Sequence, residues 1–437
     1  MNRSILLYLI LLATISLASP DTAYSGSVIN EKVSASYIDG NNLDRYLECV
    51  RKNNEEIRSL EFSVKKELET IRKELAYQRV SAGISGTVEQ WIDSESRDGY
   101  TSTSAANVYL RQQLEFSGKY SAHIKYLVAS YRAAEFAFQD RVNTILAQAA
   151  GAYVEASISR ENIVIQEQVL ANRQDSLTAT KHKFKEGMVP ELDVIRASQQ
   201  VDDAKALLEN ANRNYANALA AMLKFSTERF EAQPLNIEGL RVTDFSLEKG
   251  LSERPDLSRL QMNLLAAKMN RRMAAKGLTP TFQLTFSWGF SNQYLGKYEM
   301  NLDDYEGKVS LGAEIPILDG GKTKHQKMES AYLILETESQ IESLKKNIGE
   351  EVSRAESTLA AAQRVEKIKL RSKQGAQKAL WIAEEMYKDG ILGQIDLINA
   401  QESDQNAQTA YMQALKELAD AHIEERRVIG GFCDIQP

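Results

Sequence analysis

Proline is scarce in this sequence. Seven of the 437 residues are proline, or about 1.6%, whereas an average protein has roughly 5%. Residues 21–189 and 317–436 contain none. An internal proline removes a helical hydrogen bond and clashes with the preceding turn, so these two stretches permit very long uninterrupted helices. The composition also excludes collagen-like, proline-rich and disordered chains.

Long hydrophobic runs are also missing, which excludes a polytopic helical membrane protein because each span would need about 20 apolar residues. The N-terminus has Arg3, a short apolar run over residues 5–17 and small residues near Ala18. This pattern predicts a cleaved signal peptide over residues 1–18. Loss of Arg3 changes the net charge from −7 to −8. An acidic exported protein is a poor partner for nucleic acid.

Cysteine is nearly absent, with only Cys49 and Cys433 near the two ends of the exported chain. Export makes a disulfide between them chemically possible. Two unpaired thiols are the alternative, because only the geometry of the folded chain decides whether a bridge can close.

An internal repeat organises the chain. Phe184-Lys185-Glu186-Gly187 recurs as Tyr387-Lys388-Asp389-Gly390, at a separation of 203 residues (390 − 187). Residues 192–197 match 395–400 at the same separation, whereas positions near 57–72 match positions near 257–272 at 200. The shared order of these weak matches indicates a duplicated unit.

Each copy contains two segments in which apolar and polar residues alternate. A period of two over about ten residues is typical of strands that cross a membrane in a β-barrel. We predict strands at about residues 79–93 and 104–117 in the first copy, and 279–292 and 306–318 in the second. Two hairpins that cover a soluble core are the alternative, but the remaining chain offers no matching sheet to bury them.

Long helical stretches follow each hairpin, over residues 119–186 and 322–389. At 1.5 Å per residue each spans about 100 Å if it is continuous. The predicted organisation is a signal peptide, an N-terminal extension (19–43), a first repeat (44–226), a connector (227–250), a second repeat (251–430) and a C-terminal tail (431–437). The fold class is mainly α with a small membrane β-barrel contribution.

Four strands cannot close a barrel, and open sheet edges in lipid leave backbone groups unsatisfied. A dimer would supply eight strands and a filled lumen, whereas a trimer would supply twelve and leave room for a channel. The polar alternate face, with Arg111, Gln113 and Gln283, suits a wet lumen, so we favour the trimer.

The duplicated plan resembles the TolC-like outer-membrane channels of Gram-negative bacteria. The resemblance covers residues 44–430 and depends on Glu253-Arg254-Pro255-Asp256-Leu257, on residues 315–321 (IPILDGG) and on the paired turns at Gly187 and Gly390. It implies a homotrimer with a twelve-stranded barrel in the outer-membrane lipid and a helical tunnel through the periplasm. It also implies export, with a periplasmic adaptor (membrane fusion) protein and an inner-membrane pump as partners.

The resemblance also implies a periplasmic gate at the two repeated turns. Asp193 and Tyr387 match residues that together hold the closed tip, and Asp396 matches an aspartate whose three copies form a constricting ring. An arginine usual five residues beyond that tyrosine in the best-known member of the family is Leu392 here. The position of a second family ring, three residues after Asp396, is Asn399, so this tip is expected to be less negative. The adaptor would dock on the turns, at Gly187, Val189, Pro190, Gly390, Ile391 and Leu392.

Local helix chemistry gives a second interpretation of the same residues. An aspartate in the first turn of a helix is stabilised by the free N–H groups and the helix dipole, whatever its other role. Gly187 and Gly390 are typical of helix ends in the left-handed conformation. Asp193 and Asp396 are therefore either helix-terminal acids or gate residues on this information.

Catalytic and cofactor motifs are not found. Gly320-Gly321-Lys322-Thr323 resembles part of a nucleotide-binding loop, but the glycine required five positions before Gly321 is Pro316. The four histidines have no metal-ligand spacing. We therefore predict a non-enzyme without cofactor or metal. A periplasmic coiled-coil adaptor and a scaffold trimer without transport are the rival functions.

Overall fold

A computed structural model of the chain describes residues 42–92, 100–226, 228, 230–234, 240, 245–295 and 305–432. The predicted signal peptide, most of the N-terminal extension and Cys433 lie outside these residues. The helices are α1 (Asn42–Asn53), α2 (Glu55–Tyr77), α3 (Lys119–Lys185), α4 (Glu191–Leu223), α5 (Leu247–Glu253), α6 (Pro255–Ala275), α7 (Lys322–Lys388) and α8 (Gln394–Val428). The strands are β1 (Ser81–Ile92), β2 (Tyr100–Leu114), β3 (Thr281–Leu295) and β4 (Tyr305–Glu314).

The duplicated helix–hairpin–helix plan is confirmed by this order of elements. Helices α3 and α7 have 67 residues each and begin at the equivalent positions Lys119 and Lys322. Neither contains proline, and the single glycines within them do not interrupt the helix. Contacts within the chain group the described residues into two compact units.

The first unit contains Lys65–Arg132 and Met262–Glu338, with all four strands in one antiparallel sheet of order β1-β2-β3-β4. Its register pairs Ile84 with Val108, Val108 with Trp288 and Phe286 with Val309. Directly paired residues point to the same side of a sheet, so the apolar residues of all four strands share one face. We call this the apolar face: Ala82, Ile84, Val88, Val108, Leu110, Leu284, Phe286, Trp288, Val309 and Leu311.

The opposite side, which we call the polar face, carries the alternate residues. Arg111 pairs with Thr285, Gln113 with Gln283, and Thr285 with Ser310. Large apolar side chains remain exposed on the apolar face, including Ile84 at 81% and Val309 at 64%. This sheet therefore has one side suited to lipid and one suited to water.

The strand ends differ from the predicted ones. β2 ends at Leu114 and not at 117, because the Glu115 carboxylate turns to accept hydrogen bonds from the backbone N–H groups of Lys119 and Tyr120, each at 3.1 Å. These N–H groups belong to the first turn of α3, where no helical partner exists. β4 ends at Glu314, and Asp319 accepts from the N–H group of Thr323 at the start of α7 in the same way, at 2.7 Å.

The second unit contains the described residues within 42–64, 133–261 and 339–432, and it holds the main apolar core. Tyr46 is fully buried, and its hydroxyl donates to the Met222 carbonyl at 3.0 Å. Burial raises the pKa of Tyr46, so it stays a neutral donor. Small residues of α3 (Ala147, Ala149, Ala150 and Ala156) are buried in this core, where they let neighbouring helices approach closely.

A buried ion cluster lies in the same unit, between α5 and α6. Arg254 forms a bidentate pair with Asp256, in which its Nε donates to Oδ1 at 3.0 Å and its Nη2 donates to Oδ2 at 2.6 Å. Arg254 also pairs with Glu351 of α7. Pro255 occupies the first position of α6, where its missing N–H group costs nothing. The ERPDL motif thus starts a helix and contributes two of the three charges of this cluster.

Candidate functional site

The first repeated turn joins α3 to α4. Gly187 has φ +75°, and its N–H group donates to the Phe184 carbonyl at 2.9 Å while that of Met188 donates to the Lys183 carbonyl at 2.8 Å. This pair of bonds is the Schellman ending of a helix. Pro190 then precedes the first residue of α4.

The second repeated turn, between α7 and α8, has the same geometry. Gly390 has φ +74° and donates to the Tyr387 carbonyl at 3.1 Å, and Ile391 donates to the Met386 carbonyl at 2.9 Å. Gly393 takes the place of Pro190 before the helix. Both glycines therefore adopt the left-handed conformation that the sequence predicts.

We expect Gly187→Val and Gly390→Val each to destabilise the protein by about 1–2 kcal/mol, because a residue with a Cβ is strained at positive φ. No atom lies within 4 Å of the added Cβ at either position, so the effect measures backbone strain and not a clash. Urea unfolding of the purified protein gives the difference.

The matched control is Gly349→Ala in the interior of α7, where the backbone is helical and the added Cβ also has open space. Alanine should stabilise the helix there by up to about 1 kcal/mol. Equal unfolding midpoints for Gly390→Val and the wild type would contradict the role of the left-handed turn.

Asp193 and Asp396 occupy the same helical position, three residues after Pro190 and Gly393 respectively. An acid at this position often bonds back to the N–H group of the residue that precedes the helix. Pro190 has no N–H group, so Asp193 cannot make that bond, and its carboxylate instead lies 3.6 Å from the Arg196 guanidinium. The helix dipole still favours both acids, but a capping box does not explain Asp193.

Tyr387 is buried against α3 of the first repeat. Its hydroxyl lies 3.2 Å from the Thr180 Oγ1, and the Lys183 Nζ lies 3.6 Å from the centre of its ring. The same Nζ donates to the Tyr387 carbonyl at 2.6 Å. We call this group of residues, with Gln394, the tyrosine latch: Thr180, Lys183, Tyr387 and Gln394.

Proton counting fixes the direction of the hydrogen bonds in the tyrosine latch. The Thr180 hydroxyl has one proton, and the Ser176 carbonyl at 2.8 Å accepts it. Tyr387 therefore donates to Thr180. The Gln394 Oε1, at 3.2 Å, is a second acceptor for the same Thr180 proton, and the buried Gln394 Nε2 has no hydrogen-bond partner among the described residues.

Sequence reasoning paired Tyr387 with Asp193, and the described part of this single chain shows no hydrogen bond between them. Leu392 packs with Tyr387 and Leu397 in a small apolar cluster. Among the described residues, Lys183 is the basic partner of Tyr387. Sequence reasoning missed Thr180, Lys183 and Gln394 because they lie just outside the repeated segments that mark the two turns.

The tyrosine latch is asymmetric between the two repeats. At a separation of 203 residues, Thr180 corresponds to Ala383, Lys183 to Met386, and Tyr387 to Phe184. None of these three counterparts has a side chain that can make the equivalent hydrogen bonds. The α3 helix therefore holds the turn of the second repeat, whereas the corresponding residues of α7 cannot make these hydrogen bonds to the first turn.

The seam between α3 and α8 beyond the tyrosine latch is also polar. The buried Arg173 donates to the Gln401 side chain, and Gln405 donates to Gln166 at 3.3 Å. Burial lowers the pKa of Arg173, while Glu402 and Asp203 oppose this effect.

The remaining predicted tip residues are mostly accessible in the single chain. Asp396 and Asn399 are exposed on the first two turns of α8, and Val189 is half-buried. Gly187, Pro190 and Gly390 are exposed. Large apolar side chains around the turns are exposed as well: Met188, Leu192, Ile195, Ile391 and Ile395.

Three other sequence-based candidates are a disulfide, a metal site and a membrane-spanning helix. Cys49 is half-buried with its Sγ 3.3 Å from the Ser226 Oγ, and the choice between a bridge to Cys433 and two unpaired thiols stays open because Cys433 lies outside the described residues. Within the ranges described, no group of three or more His, Cys, Asp or Glu side chains is placed to hold a metal. In the same ranges, no helix has an apolar stretch long enough to cross a membrane.

Comparisons with known proteins agree over most of the chain. The sequence profile described as "Outer membrane efflux protein" matches residues 47–226 and 247–431. Nodulation protein T of Rhizobium leguminosarum bv. viciae is 23% identical over 373 residues, covering 81% of this chain and 74% of that protein. Outer membrane protein TolC of Escherichia coli is 26% identical over 260 residues, covering 56% and 51%.

Solved structures show the same fold at low sequence identity. A membrane protein from Pseudomonas aeruginosa superimposes with a TM-score of 0.78 at 19% identity, covering 90% of this chain and 93% of the other. The Campylobacter jejuni CmeC outer membrane channel superimposes with a TM-score of 0.77 at 16% identity, covering 90% and 86%.

Proposed function

Because this chain belongs to the outer membrane efflux protein family of TolC-like channels, we propose that it forms the exit channel of a tripartite efflux or type I secretion system. Three chains close a twelve-stranded barrel in the outer membrane of a Gram-negative bacterium. The helices extend into the periplasm and open at the repeated turns when a periplasmic adaptor and an inner-membrane pump dock. Cargo then leaves passively, without catalysis or a cofactor.

The observation that carries this proposal is the two-faced sheet. Its apolar face keeps Ile84, Val309 and Leu311 exposed along the strands, as a lipid-facing surface requires. In the described chain β1 and β4 each pair with one neighbour only, so both edges are open. Open edges in lipid must be paired, and three copies of four strands supply a barrel wide enough to conduct.

A coiled-coil adaptor is less consistent with the structure. It would share the long helices, but exposed Trp288 and Val309 on a soluble sheet would be an aggregation hazard. A scaffold trimer without transport would keep the sheet. Its difference from a channel is conductance alone.

The test is outer-membrane fractionation followed by conductance in a planar bilayer. We expect a membrane-inserted trimer, identified by chemical cross-linking, that conducts ions. A soluble protein would contradict the channel proposal and favour the adaptor. A trimer that inserts and never conducts under any voltage or adaptor addition would favour the scaffold.

The role proposed for Asp396 is tested separately by Asp396→Asn. Three exposed carboxylates brought together by symmetry would attract a trivalent cation strongly, so block of conductance by hexamminecobalt should weaken by at least about tenfold, or 1.4 kcal/mol. Asp202→Asn is the matched control, since Asp202 lies exposed on α4 and pairs with Lys205 at 3.0 Å. Unchanged block in Asp396→Asn would remove Asp396 from the constriction.

A further inference from the structure

A cleft of about 900 Å³ lies within the first unit, beside the sheet. Four helix ends form it: the end of α2, the start of α3, the end of α6 and the start of α7. This volume is within the range of pockets that bind small organic molecules. Its lining residues lie on both repeats of the chain.

The sheet register shows which side the cleft opens on. Gln113 and Thr281, at the ends of β2 and β3, line the cleft. Gln113 pairs with Gln283 and Thr281 pairs with Glu314, which places both on the polar face. Their neighbours Leu114 and Phe282 do not line it. The cleft is therefore continuous with the side of the sheet that faces the lumen in the proposed channel.

Divergence between the two repeats makes room for the cleft. Where the first repeat has Glu74 and Tyr77, the second has Ala274 and Gly277, at a separation of 200 residues, and all four positions line the cleft. A Cβ at Gly277 would lie 2.3 Å from the Thr323 Oγ1, so a larger residue there would require the Thr323 side chain to move. The α2 wall thus has an acidic and an aromatic side chain at the positions where the α6 side has alanine and glycine.

The functional side chains are aromatic and acidic. Three tyrosines line the cleft, namely Tyr77, Tyr120 and Tyr332. The Tyr120 hydroxyl donates to the Glu74 carbonyl at 2.7 Å, which holds its ring in place. Tyr77 and Tyr332 are 69% and 64% exposed and keep their ring faces accessible.

The charges in the cleft come from four segments. Glu74 of α2, Glu115 before α3, and Glu329 and Glu336 of α7 are acidic, and Lys119 of α3 is basic, so the net charge is −3 (−4 + 1) with His123 neutral. The His123 Nε2 lies 3.6 Å from the Glu74 carboxylate. The cleft therefore attracts positive charge.

The charge of Glu115 is held by its surroundings. Partial burial alone would raise the pKa of this carboxyl, but hydrogen bonds from the Ser117 hydroxyl and from the N–H groups of Tyr120 and Lys119 hold it below its usual range. Glu115 therefore stays ionised at neutral pH and contributes to the field even when a ligand displaces water.

We propose that this cleft binds organic cations that have an apolar or aromatic body, and that it is a contact site for such cargo on the lumen side of the channel. Tyrosine faces attract a positive charge, carboxylates neutralise it, and Met273 and Leu333 pack against the apolar body. The assignment to cargo rests on the proposed channel function, whereas binding itself requires only the cleft.

Tetraphenylphosphonium and tetraphenylborate test this proposal, because the two ions share a shape and differ in the sign of charge. Equilibrium dialysis with the purified full-length protein in neutral detergent measures binding. We expect the cation to bind at one site per chain and at least tenfold more tightly than the anion. The Glu74→Gln/Glu329→Gln double variant should weaken cation binding by at least tenfold, and Ala274→Leu should abolish it by filling the cleft.

The controls are Glu338→Gln and Ala274→Ser. Glu338 is an exposed acid of α7 outside the cleft, where it pairs with Lys268 at 4.0 Å, and serine leaves the cleft volume nearly unchanged. Both variants should bind the cation as the wild type does. Circular dichroism and gel filtration of every variant confirm that the fold and assembly are retained.

Equal binding of the two ions, or unchanged cation binding in the double variant, would overturn the proposal. Conductance of the same samples tests the channel function separately from cation binding by the cleft. A channel that conducts and binds no cation contradicts only the cleft assignment. A protein that binds the cation and never conducts contradicts the channel function and the cargo role, while the binding site stands.

Discussion

Lys183→Met is expected to raise the fraction of time that the channel conducts in a planar bilayer by about tenfold. The change removes the hydrogen bond from Lys183 to the Tyr387 carbonyl and the ammonium above the tyrosine ring. Methionine keeps a long apolar side chain, so the packing around Tyr387 is largely retained. The second turn then loses the basic group that holds it to α3.

The size of this effect follows from the usual strengths of the two contacts that Lys183 makes. A hydrogen bond to a charged group contributes about 1.5–3 kcal/mol, and a partly desolvated cation–π contact about 1 kcal/mol. Lys183 is half-buried, so screening by solvent reduces both values. After screening, about 0.5 kcal/mol per chain remains, and the three chains of the proposed trimer together give about 1.5 kcal/mol, or roughly tenfold in the opening equilibrium.

Lys181→Met is the matched control, because Lys181 is exposed on the same turn of α3 and does not belong to the tyrosine latch. It should leave conductance unchanged. Tyr387→Phe removes only the hydroxyl bond to Thr180, so its effect should be smaller than that of Lys183→Met. A fall in conductance for Lys183→Met would contradict the prediction, because it would assign the contact to the conducting state.

Arg254→Met should destabilise the protein by about 3–5 kcal/mol, as measured by the shift in its chemical unfolding curve. Arg254 and Asp256 are both about nine-tenths buried, and Arg254 is the only cation bonded to Asp256 among the described residues. Removal of one partner leaves the other charge buried and uncompensated, which is the costly way to break such a pair.

The double variant Arg254→Met/Asp256→Asn distinguishes this mechanism from a loss of packing. Removal of the orphaned charge should recover part of the lost stability. Arg72→Met is the surface control, because the Arg72–Glu69 pair is 64% exposed at both side chains and should contribute less than about 1 kcal/mol. A double variant less stable than Arg254→Met would contradict the charge mechanism.

The strands were predictable because alternation is a direct record of the two sides of a sheet. Ile84, Val108 and Trp288 lie far apart in sequence, and each was placed on an apolar face by its own neighbours before any pairing was known. The register then brings them to the same side. Helix continuity was predictable for a similar reason, since the absence of proline over α3 and α7 is visible residue by residue.

The strand ends and the partner of Tyr387 were not predictable in the same way. Glu115 continues the alternation of β2, and only its bonds to the first turn of α3 show that it belongs to a cap. Lys183 is one of many lysines on exposed helix faces, and periodicity does not show that it meets a turn 204 residues later in the chain. Long-range contacts of this kind depend on how the two repeats pack.

The one-way contact at the tyrosine latch has a consequence for how a duplicated gene acquires two roles. Directly after duplication both halves carried the same side chains, so any tether between them existed in both directions or in neither. A threonine and a lysine on one side, and a tyrosine on the other, now make the halves unequal. A chain assembled from two second halves would form both turns and lack the threonine and lysine of the tether, so specialisation after duplication left the second turn dependent on the first half.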